Sequence, residues 1–97
     1  EPQESETNPK QPELKIPNIF TPNGDYVNDY FVISGIEQLS ENQLIVYHRN
    51  GRIVYDKMNY QNDWNAENIE NGVYYYIFKF IYQNTQFMRS GSLTIKR

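Results

Sequence analysis

The sequence contains no cysteine, so no disulfide can staple it and no thiolate can serve as nucleophile or metal ligand. It has a single histidine, His48, in the middle of a β-rich run and just ahead of a turn. A lone strand histidine without a neighbouring nucleophile does not make a triad. No apolar run approaches the roughly 20 residues that cross a bilayer as a helix. The net charge of −3 comes from interspersed acids and bases, which leaves no basic stripe for nucleic acid and no polybasic patch for anionic lipid. Phosphate-cradling glycine motifs and zinc-ligand spacings are missing as well. Asp25, Asp29, Asp56, Asp63 and Glu67 show no spacing that marks an acid and a nucleophile, so an enzyme is not expected.

Aromatic rings are abundant instead. Nine tyrosines, five phenylalanines and one tryptophan occur among 97 residues, and each ring buries roughly 150–250 Å² while tyrosine can keep its hydroxyl wet. A chain this short gains little net stability from a single core, so these rings must supply most of it. A monomer is expected. Glu1 to Glu13 holds three prolines, four glutamates and no apolar residue, and reads as a disordered polar linker ahead of a domain spanning residues 14–97. The missing initial methionine and signal-peptide pattern point to a piece of a longer polypeptide.

The domain is organised around Phe20 to Phe31, FTPNGDYVNDYF. Two aromatic ends that look buried bracket a polar centre. Pro22 presets φ, Gly24 permits a left-handed turn, and Asn23, Asp25, Asn28 and Asp29 can bond nearby backbone amides, which predicts a stiff bend. Oxygen ligands at Asn23, Asp25 and Asp29 raise calcium as a cofactor, but the closing bidentate glutamate of a calcium loop is missing. Self-capping of the bend is the simpler reading; no metal or other cofactor is expected, and any calcium would bind weakly.

Leu14 to Phe20 reads as a short strand, restricted by Pro17 to an edge or a bulge. Tyr30 to Ile36 is a second candidate. Gln43 to Arg49 and Arg52 to Lys57 form a hairpin, with Asn50-Gly51 as a type I′ turn. Met58 to Asn71 is an irregular crossover, anchored by Trp64. Trp64 could stack on a sugar, with Asn62, Asp63 and Asn65 serving its hydroxyls, or plug the end of the core. Val73 to Tyr82 is the longest strand and is apolar on both faces, as in a central strand covered on both sides or in one whose all-aromatic face is partly exposed. Gln83 to Thr85 is a tight turn, and Gln86 to Arg97 returns antiparallel with a bulge at Arg89 to Gly91. About seven short strands predict an all-β, immunoglobulin-like Greek-key β-sandwich.

In order and spacing, IPNIFTPNGDYVNDYF, LIVYHRNGRIVYD, NDWNAENIENGVYYYIF and SGSLTIKR resemble the gliding motility-associated C-terminal domain, the type B sorting domain of the type IX secretion system of Bacteroidota. The resemblance covers Ile16 to Arg97. Tyr26 stands where the family usually has glycine, Asn50 where it has tryptophan, and Ala66 where it has glycine. The resemblance implies a sorting signal that directs a large cell-surface adhesin or secreted protein across the outer membrane. Its partners would be the translocon and an outer-membrane protein of PorP/SprF type, and it would travel through the periplasm to the cell surface or beyond. If it is recognised as a folded module, the bend residues Thr21, Asn23, Gly24, Asp25, Asn28 and Asp29 and the terminal cations Lys96 and Arg97 are the expected contacts. An adhesive module that binds carbohydrate or protein, with Trp64 against the sugar, is the alternative.

Overall fold

The structure is a computed structural model that describes residues 11–22, 24 and 29–97. Among the described residues it is all-β, with one short 3-10 turn at Ile36–Gln38. Five strands form a single mixed sheet: β1 (Ile19–Phe20), β2 (Glu41–Tyr47), β3 (Ile53–Met58), β4 (Gly72–Tyr82) and β5 (Thr85–Ile95). Their order across the sheet is β1-β5-β4-β2-β3, antiparallel except for β1, which runs parallel to β5. Phe20 pairs with Ile95 there.

The strands are fewer than the seven expected, and the backbone explains why. Leu14 to Phe20 contributes only two ladder residues, after one antiparallel bridge between Lys15 and Ser34. Pro17 has no N–H with which to extend that bridge. On the opposite edge of residues 30–34, the backbone of Phe31 and Ile33 is bonded by the crossover and not by a strand: Phe31 N–H donates to the Trp64 carbonyl (3.0 Å), and Ile33 N–H to Asn62 Oδ1 (2.8 Å). The second layer of the sandwich is therefore built of loops. The segments before β2 and the crossover between β3 and β4 lay Phe20, Phe31, Ile33, Tyr60, Trp64 and Ala66 on one face of the sheet.

β4 occupies the centre, but only one of its faces is covered. Tyr74, Tyr76, Phe78 and Phe80 are buried, whereas Val73 and Tyr75 are exposed. Both faces are apolar, so the strand reads as two-sided until the roof is counted. The loops carry rings enough for one face, and they sit on the larger side chains, where burial returns most.

The turn geometry expected at Asn50-Gly51 is found instead in the tight turn that follows β4. His48 pairs with Arg52 (N–H to carbonyl, 2.7 Å), leaving three loop residues, with Gly51 at φ 94° and its N–H donating to the His48 carbonyl at 2.7 Å. Only Gly51 needs the left-handed region, so this is a three-residue loop and not type I′. The two-residue turn with both residues left-handed lies between β4 and β5, at Gln83 (φ 51°) and Asn84 (φ 63°). No bulge interrupts β5, which pairs residue for residue with β4 from Tyr82↔Thr85 to Gly72↔Ile95. Gly91 serves another purpose: a Cβ there would lie 2.8 Å from the Tyr76 hydroxyl, so its bare backbone makes room for that ring.

Candidate recognition surface

Phe20 and Phe31, the brackets of the bend, are both buried. Their rings meet at 5.7 Å, and Trp64 lies 5.6 Å from Phe20 and 6.1 Å from Phe31. Between the brackets, the Gly24 N–H donates to Asp29 Oδ1 at 3.0 Å. That bond closes the mouth of the bend through one of its own carboxylates, as self-capping requires. Thr21 and Asp29 are half-buried and both make further interactions. Asn23, Asp25 and Asn28 lie outside the described residues, as does Tyr26.

Phe31, where the bend closes, joins a polar hub that the sequence does not advertise. Tyr60 is buried, and its hydroxyl donates to the Phe31 carbonyl (2.6 Å) while accepting from the Trp64 N–H (3.1 Å). Its own N–H donates to Oδ1 of the buried Asn42 at 2.8 Å. Asn62 adds two bonds to Ile33, accepting from its N–H and donating to its carbonyl (3.4 Å). Each hydrogen bond made away from water contributes modestly, but each one broken there strands a partner. Burial pushes the Tyr60 phenol well above its ordinary range, so it stays a neutral donor. Burial also raises Tyr55, helped by the carboxylate of Asp63. Nothing distinguishes Tyr60 from the other eight tyrosines by spacing alone. Asn62 stands out in QNDWN only as a possible partner for sugar hydroxyls, not as a brace for Ile33.

Trp64 is only 6% exposed. Tyr55 stacks on it at 4.8 Å and 22°, and the two phenylalanines close the remaining sides. Its ring is the plug of the core, with no face left for a sugar. His48 is equally settled: Nδ1 accepts the Asn50 N–H at 3.2 Å, and the ring packs edge-on against Tyr74 at 5.8 Å.

The two terminal cations differ. Lys96 is exposed, and its N–H donates to the Phe20 carbonyl (3.1 Å), which ties the last strand to the start of the bend. Arg97 turns its guanidinium back onto the crossover, donating to the carbonyls of Ala66 and Ile69 and to Asn71 Oδ1 (3.3 Å). That fork fastens a loop rather than reaching outward. Midway along β5, Arg89 donates to Gln11 Oε1 and to the carbonyls of Pro12 and Leu14, at 3.3–3.5 Å. Gln11 to Glu13, assigned to the linker by composition, thus lie against the sheet.

No helix among the described residues is long and apolar enough to cross a membrane. The family model described as a CHU_C type IX secretion signal domain matches residues 14–95, from the entry segment to the end of the last strand. No curated protein and no solved structure matches the chain.

Proposed function

This chain belongs to the family of CHU_C type IX secretion signal domains, and on that premise we propose that it is read by the export machinery as a folded module, with the bend as the feature recognised. The family assignment carries the role: a sorting signal for export across the outer membrane toward the cell surface or the medium. The finer reading is that the cargo is a large adhesin or secreted protein of a gliding bacterium of the Bacteroidota, and that a PorP/SprF-type outer-membrane protein is among the partners. Thr21, Asn23, Gly24, Asp25, Asn28 and Asp29 would contact that partner, with Lys96 beside them. Arg97 acts in this reading by holding the crossover in place. Support comes from the hub that fixes Phe31 and Ile33 just past the end of the bend, since a surface recognised by its outline needs fixed supports. The module needs no metal and performs no chemistry of its own.

The test is to fuse the whole chain to a fluorescent reporter in a bacterium that carries this secretion system and to measure reporter outside the cell. The parent fusion is expected to be exported. Asn23→Ala combined with Asp25→Ala should lower export at least about tenfold, the equivalent of losing roughly 1.4 kcal/mol of recognition, with an unchanged urea midpoint. Tyr60→Ala, which removes the hub, should abolish export. Undiminished export of the first variant removes the bend from the mechanism, and undiminished export of an unfolded second variant removes recognition of a fold.

A further inference from the structure

Loops roof one face of the sheet, and the other face carries apolar side chains that no described residue covers. Val73, Tyr75, Ile53, Met58 and Met88, all on this side, are 37–64% exposed. Residues paired across neighbouring strands share a face, so the register shows how the open side is laid out. At its centre, β4 meets β2 with like beside like: Tyr75 pairs with Tyr47, and Ile77 with Ile45. The next step along pairs Lys79 with Gln43, and a methionine stands outside each of them, Met88 on β5 and Met58 on β3. Read across the sheet from either edge, these rows are nearly the same. Only their outer places beside the tyrosines and isoleucines differ, with Ser92 and Ser90 on β5 against Ile53 and Asp56 on β3. A monomer rarely leaves a contiguous apolar patch of more than a few hundred Å² bare.

We propose that a second copy of the chain covers this face, the two sheets packed about a two-fold axis that runs along the line between β4 and β2. A two-fold contact must be self-complementary, because whatever lies on one side of the axis faces what lies on the other. The rows meet that condition. Tyr75 lies over the partner's Tyr47, Ile77 over the partner's Ile45 and Met88 over the partner's Met58. Lys79 then lies over the partner's Gln43 and Asp56 over the partner's Ser90, so no charge is set against its like. Asp56 already accepts from Gln43 Nε2 at 2.8 Å within its own chain, and the pairing asks no new bond of it. An axis at right angles, along the isoleucine row, would set Asp56 on Asp56. Packed sheets commonly align to within about 30°, which keeps these rows in register. Strand spacing and rise give a flat area of about 550 Å² per copy and about 1,100 Å² for the pair, at the lower end of specific interfaces. Glu1 to Lys10 cannot cover the face instead, because EPQESETNPK has no apolar residue to set against it.

This pairing goes beyond the sorting role and does not depend on it, and its test does not use export. An interface of this size gives a Kd on the order of 100 µM, so the single chain expected from the sequence prevails at low micromolar concentration. Sedimentation velocity of the full chain should give the mass of one chain at about 5 µM and approach that of two at about 1 mM. Ile77→Lys puts a charge beside the axis and should weaken association at least about tenfold, with the sheet intact by circular dichroism. A second measurement leaves the centre untouched and uses the absence of cysteine. Met58→Cys and Met88→Cys, both at exposed positions, are mixed as single variants and treated with a short bismaleimide. The mixed product should exceed either self-joined product at least about tenfold, because facing sheets lie about 10 Å apart and like positions lie on opposite edges. A mass that stays at one chain up to about 1 mM would overturn the proposal and leave the face to another occupant. So would association undiminished in folded Ile77→Lys, or self-joined products as abundant as the mixed one.

Discussion

The two faces of β4 come from one stretch of sequence, VYYYIFKFIY, and both are largely apolar, with Lys79 the one charge. Even-numbered residues from Tyr74 to Phe80 lie under the loops, while odd-numbered Val73 and Tyr75 meet solvent. Only the first set has a roof, built by rings that arrive from the bend and the crossover and are pinned by the Tyr60 hydroxyl. Hydrophobicity of a strand therefore says how much surface could be buried, and the connections decide which half is. In a domain with one sheet, the loops are half of the core.

The contrast is broken most directly by truncating one residue from each face. Phe78→Ala should cost about 3–5 kcal/mol, a large part of the stability of a domain this small. Tyr75→Ala, on the same strand, should cost no more than about 1 kcal/mol, chiefly the loss of its contact with Tyr47, whose ring lies 5.9 Å away. Urea denaturation of the two variants checks the ratio, and equal losses would mean that the open face is covered in solution.

A second way to sharpen it is to leave the packing and remove one oxygen. Tyr60→Phe keeps the ring under the roof but strands the Phe31 carbonyl and the Trp64 N–H, and should cost about 1–3 kcal/mol. It should also alter the alkaline limb of stability. Burial raises the pKa of Tyr60, and of Tyr55 and Tyr76, above the unfolded value of 10.0. Their contribution is then fully present below pH 10 and is lost as pH rises toward the folded values, because the unfolded chain releases these protons first. At Tyr60 the slope is at most about 1.4 kcal/mol per pH unit. Midpoints measured between pH 9 and 11 should fall less steeply in Tyr60→Phe than in the parent.

Much of this was legible from residue pattern. The β2–β3 hairpin, the long β4 strand, the burial of Phe20 and Phe31 and the all-β class all follow from local periodicity and from aromatic residues bracketing a polar run. What could not be read depends on contacts distant in sequence. Tyr60 becomes a hub only because residues 29–34 pass its hydroxyl. Residues 30–34 miss strand status because Asn62 and Trp64 take the bonds at Ile33 and Phe31. Asn50-Gly51 matched a two-residue turn, yet Asn50 Oδ1 accepts the Arg52 N–H at 2.9 Å, and the longer loop uses the asparagine as a brace. Gly91 looked like a bulge because the size of the ring opposite it cannot be seen from its own strand.

The smallest expected effect lies at the end of β4 that neither face reaches. Gln83 is held at φ 51° and Asn84 at φ 63°, and glutamine tolerates the left-handed region less well than asparagine, whose short side chain can bond locally there. Gln83→Asn should therefore stabilise the domain, by about 0.5 kcal/mol or less, visible as a small rise in thermal midpoint with no change at the buried rings. Gln83 is exposed and its side chain makes one long bond, to the Tyr82 hydroxyl at 3.4 Å, so that gain would be mostly backbone energy. It would then serve as the zero against which the packing losses at Phe78 and Tyr75 are compared. A gain of several kcal/mol would mean that the turn controls how the roof settles on β4, and the two faces could no longer be treated as separable.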